Sequence, residues 1–136
     1  MDAVVLTSKL ESLRRCIARV QSRCPATLEA LVDDLDAQDV IVLNLSRAVQ
    51  LCVDLAMHRL TDMDVTTPQT MGDSFTALAQ EGLIDAALCA RMRAAVGFRN
   101  LAVHNYDVIS WDIVFTIATA HLDDFRAFAK AMSPRD

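Results

Sequence analysis

Glycine and proline are scarce, 3 of each in 136 residues, and with abundant Ala and Leu this composition leans toward helix and away from disorder. Four cysteines, Cys16, Cys24, Cys52 and Cys89, form no Cys-x-x-Cys pair and have no histidine at metal-ligand spacing. That argues against a zinc site or a secreted disulfide framework, and reduced, mostly buried thiols are expected. No glycine-rich phosphate loop, nucleophile elbow, paired-carboxylate signature or Cys–His arrangement occurs, which disfavours kinases, serine-type hydrolases and metalloenzymes and leads us to expect no cofactor and no metal. The N-terminal residues lack a basic region followed by an apolar core, and no apolar run approaches the roughly 20 residues of a membrane span. A cytoplasmic location without membrane attachment is the expectation. Base is also in short supply, 13 Lys and Arg against 18 Asp and Glu for a net charge of −5, so a non-specific nucleic-acid coat, which rests on many cationic contacts to phosphate, is disfavoured.

What is present is apolar surface at helical spacing. With 53% hydrophobic residues, the chain reads as a single domain, residues 1–136, long enough to bury a core without staples. Leu6, Leu10, Leu13, Ile17 and Val20 predict a first amphipathic helix stopped by Pro25. A short helix from about Thr27 to Asp34 is expected next. Asp36 is a candidate cap for a long helix with Asp39 in its first turn and Ile41, Leu45, Val49, Cys52, Ala56 and Leu60 on one face. Leu43, Leu51, Val53 and Leu55 spread apolar surface further round it, which fits either a central position or a subunit interface. After a loop over 62–69, Thr70 and Asp73 resemble a capping box for a short helix ending near Gly82, with Met71, Phe75 and Leu78 inward. Asp85 caps a further long helix through Leu88, Met92 and Val96. A last helix follows Ser110, with Trp111, Val114, Phe115, Ala118, Leu122, Phe125 and Ala129 inward. The predicted architecture is all-α, an antiparallel bundle of four main helices plus a short one.

The stretch from Arg99 to Tyr106 carries the chemistry. Arginine keeps its charge and offers a planar fork to phosphate oxygens, and histidine is the one side chain that exchanges protons near neutrality. At about 100° per residue, Arg99 follows Leu88, Met92 and Val96 on the apolar stripe, and Tyr106 falls about 20° from it. A guanidinium there needs a structural carboxylate or an anionic ligand. Asn100 and His104 share a face about 100° and 140° away. Either the backbone changes course near Val103, or Arg and His from two subunits meet one phosphate. RNA scission requires removal of the 2′-hydroxyl proton, stabilisation of charge on the phosphorane-like transition state and protonation of the departing 5′ oxygen. His104 and Arg99 match the first two needs, and a second His104 from a dimer would meet the third. An acidic stretch, Glu29 to Asp39, contrasts with Arg91, Arg93 and Arg99, which follow Asp85 with no acid before Asp107. These cations are candidates for a confined basic cleft, with Arg91 and Arg93 as RNA-binding positions. Gly97 hints at close helix approach or a bend, packing being the simpler reason. His58, four residues after Asp54, reads mainly as an exposed helix pair, and His121 as a boundary residue.

Arg99-Asn100, His104 and Tyr106 resemble the Arg-Asn-x-x-x-His-x-Tyr signature of HEPN-domain proteins, and of the HepT-like toxins in particular. Asp36-Ala37-Gln38-Asp39, Cys52 to Ala56, Ser74-Phe75 and Met92 to Tyr106 are similar to that family in order and spacing, over roughly residues 5–130. The resemblance implies a HEPN fold, a homodimer with the Arg and His motifs facing across the interface, and metal-independent endoribonuclease activity on cellular RNA, either transfer or messenger RNA. It also implies a type VII toxin–antitoxin pair whose partner is MntA, a small nucleotidyltransferase that transfers AMP from ATP to the motif tyrosine, here Tyr106. By the same correspondence Arg99 polarises the scissile phosphate, Asn100 orients His104 or RNA, His104 is the general base or acid, and Asp54 is a supporting acid near the site. The rival is a non-catalytic HEPN subunit that binds a nucleotidyltransferase or a nucleotide.

Overall fold

In the computed structural model, which describes residues 2–134, the chain folds into seven α-helices and one 3-10 turn, with no strand among the described residues. Helix α1 (Ala3–Arg23) ends where Cys24 turns extended ahead of Pro25. Helix α2 (Leu28–Asp33) is capped by Thr27, whose hydroxyl accepts from the Ala30 N–H at 3.1 Å. Helix α3 (Leu35–Thr61) is capped two residues before the predicted position. Asp34, not Asp36, accepts from the Ala37 N–H at 3.0 Å, because α2 ends at Asp33 and its C-cap residue doubles as the next N-cap.

Helix α4 (Met71–Gln80) begins at Thr70, whose hydroxyl accepts from the Asp73 N–H. It closes as a Schellman motif: Gly82, at φ 75°, donates to the Ala79 carbonyl and Leu83 to that of Leu78, both at 3.0 Å. Only glycine adopts that left-handed conformation at little cost. Helix α5 (Ala86–His104) leads into the 3-10 turn Tyr106–Val108.

The last predicted helix is two. Helix α6 (Trp111–Ala120) and α7 (Leu122–Met132) break at His121, without a proline or glycine to mark it. The reason is tertiary: α6 packs on α1, α2 and α3, whereas α7 packs on α1, α3 and α5, and one straight rod does not serve both beds.

Helix α3 touches every other helix, which settles its wide apolar surface in favour of a central position. Val53 and Leu55 are buried, whereas Leu43 points half out and Leu35 at the first turn is exposed. By length and hydropathy α3 is apolar enough to cross a bilayer, yet 56% of its most apolar window lies inside the bundle, as a core helix requires. Phe75 of α4 meets Phe128 of α7 edge to face at 5.4 Å. The buried Gln38 donates to the carbonyls of Leu31 and Val32 at 2.9 and 3.0 Å, satisfying the orphan end of α2. Gly97 departs from its packing rationale. A Cβ there would meet nothing within 4 Å, and α5 passes through it unbroken.

Candidate active site

Helix α5 is anchored at Asp85, which accepts from the Leu88 N–H at 2.7 Å, and by a buried stripe of Leu88, Cys89, Met92, Val96 and Ala102. It runs without interruption through His104. The chain turns at Asn105 (φ −152°, ψ 55°), whose N–H donates to the Leu101 carbonyl at 2.8 Å. The change of course therefore falls after His104 and not near Val103. Tyr106 consequently leaves the helix, and its predicted 20° separation from Arg99 does not apply. On one straight helix Arg99 and His104 are about 7.5 Å apart along the axis and about 140° apart around it. One protomer does not aim both at the same atom.

Arg99 is half-buried and makes no ion pair among the described residues. Its Nη1 donates to Asn100 Oδ1 at 3.2 Å and lies 3.9 Å from Met71 Sδ at the start of α4. Neither partner carries charge, so the guanidinium keeps its full attraction for an anion. Asn100 orients Arg99 in this arrangement and not His104. His104 is exposed at the end of α5.

Tyr106 Oη donates to Asp39 Oδ1 at 3.1 Å, and its ring meets Trp111 edge-on at 6.3 Å. Burial, the hydrogen bond to Asp39 and that carboxylate's charge, in falling order, hold the phenol above its ordinary pKa. It stands protonated at neutral pH while still 41% exposed.

The other candidates sit elsewhere. Arg91 donates to Asp124 at 2.6 Å, and Arg93 to Thr76 at 2.8 Å and Asp73 at 3.5 Å. Arg91 and Arg93 are about 200° apart on α5, so with Arg99 they form no common cleft. Asp54 pairs with Lys9 at 3.4 Å and accepts from Gln50 at 3.0 Å. It lies fifteen residues, about 22 Å of helix, beyond Asp39, and it does not engage His58. His121 is exposed, 3.4 Å from Asp124. No three His, Cys, Asp or Glu side chains among the described residues converge as metal ligands.

Asp39 is the site residue that sequence reasoning missed. A first-turn acid on α3 is explained by the helix dipole alone, and nothing in the sequence joins it to a tyrosine 67 residues away.

The chain is similar to known proteins over nearly its whole length. A family model, Ribonuclease HepT-like, matches residues 13–132. The curated mRNA nuclease HepT of Shewanella oneidensis is 36% identical over 124 residues, 91% of this chain and 92% of that one. Among solved structures, the tri-AMPylated HEPN toxin of Shewanella oneidensis in complex with its MNT antitoxin superposes with a TM-score of 0.89 at 35% identity, covering 97% and 98% of the two chains. A toxin–antitoxin crystal structure with AMP-PNP gives 0.88 at 34% identity, covering 94% and 96%.

Proposed function

The chain belongs to the HepT-like ribonuclease family, and on that premise we propose that it is the endoribonuclease toxin of a toxin–antitoxin pair, cleaving cellular RNA as a homodimer. The observation that carries this reading is Arg99, a half-buried guanidinium without a carboxylate, on the same helix end as an exposed imidazole. Unpaired charge of this kind is costly to keep unless an anion arrives.

In the proposed reaction His104 takes the proton of the 2′-hydroxyl, and that oxygen attacks the adjacent phosphorus. Arg99, steadied by Asn100, stabilises the charge gathering on the phosphoryl oxygens. The bond from phosphorus to the 5′ oxygen breaks, leaving a cyclic 2′,3′-phosphate, and the departing oxygen takes a proton from His104 of the partner subunit. No metal enters the scheme. One imidazole does not act as base and acid in a single step, and the 140° splay of Arg99 and His104 also asks for a second copy. Val103, Val108 and Ile113, 52%, 56% and 52% exposed around the site, supply apolar surface suited to that contact. Arg91 and Arg93 assist RNA binding only after releasing Asp124 and Asp73.

The antitoxin in this reading is an MntA-like nucleotidyltransferase, as in the solved complexes of relatives. Tyr106 Oη attacks the α-phosphorus of ATP, pyrophosphate leaves, and Asp39, which already accepts the phenolic hydrogen, is placed to take the proton. The product sets bulk and negative charge beside Arg99 and His104, which repels RNA.

The test is purified protein with total RNA in excess chelator, beside folded His104→Ala and Arg99→Ala variants. Cleavage by the wild type alone supports the enzyme, and identical RNA patterns from all three overturn it. For Tyr106, intact mass after incubation with the nucleotidyltransferase and ATP rises in AMP-sized steps. No rise, or the same rise in Tyr106→Phe, overturns the modification.

A further inference from the structure

A cleft of ≈ 360 Å³ between α5 and α6 is walled mainly by apolar side chains, and Arg91 and His121 in its lining are both engaged by Asp124. A second, of ≈ 320 Å³, is lined by Arg126 together with Asp123, which already pairs with it at 2.9 Å. The third is different. Between α1 and α3 lies a cleft of ≈ 540 Å³ lined by Arg15 and Arg19 from one helix and Arg47 from the other.

None of these three arginines makes an ion pair among the described residues. The one acid in the lining, Asp54, is already committed to Lys9 and Gln50. Cys16 lines the same cleft as Arg15 and Arg47: burial pushes its thiol up, and both guanidinium charges pull it back. On a chain of net charge −5, these three arginines gather unpaired positive charge along the walls of one cleft.

The position of the cleft gives it a ligand. Its lining starts at Val40, the residue next to Asp39, which holds Tyr106 at 3.1 Å. From there Leu43, Arg47, Gln50 and Asp54 continue along one face of α3, and Arg47 is about 12 Å of helix from Asp39. No aromatic side chain lines it, so it offers charge without stacking or base readout.

We propose that the α1–α3 cleft is an RNA-backbone track in which Arg15, Arg19 and Arg47 hold the phosphodiesters of a single strand leaving the Tyr106 end of the molecule. The inference rests on the ribonuclease reading for the identity of its ligand and extends it to residues outside the signature. The track positions the strand and does not select sequence.

The test is fluorescence anisotropy of a labelled 20-nucleotide single-stranded RNA on a His104→Ala background, with and without Arg15→Gln, Arg19→Gln and Arg47→Gln together, across a salt series. Loss of three phosphate contacts makes the log–log salt slope shallower by about 2 and weakens binding about 50-fold at 0.15 M salt. A matching Arg→Lys triple variant, which keeps the charge, restores most of the slope and guards against misfolding, which circular dichroism also checks. With His104 restored, kcat/KM for the long RNA falls while that for a dinucleotide holds. Unchanged affinity and slope in a folded triple Gln variant overturn the track, as does loss of antitoxin binding with RNA binding intact. Binding that depends on the three arginines in a protein that cleaves nothing supports the track and overturns the enzyme instead.

Discussion

The two halves of α5 carry the same kind of side chain and put it to opposite use. In the first half, Arg91 and Arg93 are each matched to a carboxylate, and Met92 between them is fully buried. In the second, Arg99 has only Asn100 and a thioether, and His104 stands in solvent. The first half is finished within the protomer, while the second waits for an anion. A helix-long string of arginines therefore reads as function only where the acids run out.

The sharpest break between the halves is in cleavage. His104→Ala removes proton transfer and Arg99→Ala removes charge stabilisation, and each lowers single-turnover RNA cleavage by about 10²- to 10⁴-fold. Thermal unfolding of both variants stays near wild type, because neither side chain fills the core. Unchanged cleavage, or a collapse in stability, erases the distinction. Met92→Ala behaves in the opposite way. It costs about 2–5 kcal/mol in denaturant unfolding and leaves cleavage per folded molecule intact, and a stable but inactive Met92→Ala would move the boundary between the halves.

A smaller effect lies just past the helix. Tyr106 is held above the ordinary phenol range by burial first, then by the hydrogen bond and charge of Asp39. Asp39→Asn removes the negative charge, so the ultraviolet titration midpoint of the phenol falls but stays above its usual value, since the burial remains. A raised phenol pKa means the folded state holds the proton more tightly. Stability is thus full below the unfolded value near 10 and declines as pH climbs through the folded one. In Asp39→Asn that alkaline window narrows from its upper end. An unmoved midpoint would show that the 3.1 Å contact does not persist in solution.

Much of this was legible beforehand. The apolar stripes of α1, α3 and α5 repeat at three and four residues, and Thr70, Asp85 and Gly82 mark ends that local chemistry dictates. The signature from Arg99 to Tyr106 pointed to the family. The break at His121 was not legible, because it answers to two packing beds and not to a breaker residue. The cap at Asp34 was hidden among neighbouring acids of equal capping ability. The partners of charges were least visible of all: Asp124, Asp73 and Lys9 lie 33, 20 and 45 residues from Arg91, Arg93 and Asp54, and such pairings are decided only when helices pack.

Gly97 gives a test of how far the open half extends. It precedes His104 by seven residues and so lies about 20° from it, on the face that the proposed dimer would turn toward its partner. Within the protomer a Cβ there touches nothing, so Gly97→Ala gains about 0.5–1 kcal/mol from helix propensity when unfolding is followed at concentrations too low for the proposed dimer to form. If the proposed dimer forms through this face, at high concentration the same methyl group enters the interface, and sedimentation shows a weaker dimer with less cleavage. A variant that is more stable and equally dimeric removes Gly97 from the contact.

The final prediction converts the first half of α5 into the second. Asp124→Asn and Asp73→Asn withdraw the carboxylates from Arg91 and Arg93 while keeping the shape of the partners. Both pairs are solvent-exposed on at least one side, so each change costs about 0–1 kcal/mol in unfolding. If pairing is what silences these cations, each freed guanidinium that reaches a phosphate steepens the salt slope of RNA binding by about 0.7, and the gain is larger at low salt. Arg91 and Arg93 point to different sides of the helix, so the two gains need not be equal, and the larger one identifies the side along which RNA approaches His104. If neither substitution alters the slope, charge pairing is not what separates the halves, and the distinction rests on the geometry of Arg99, Asn100 and His104 alone.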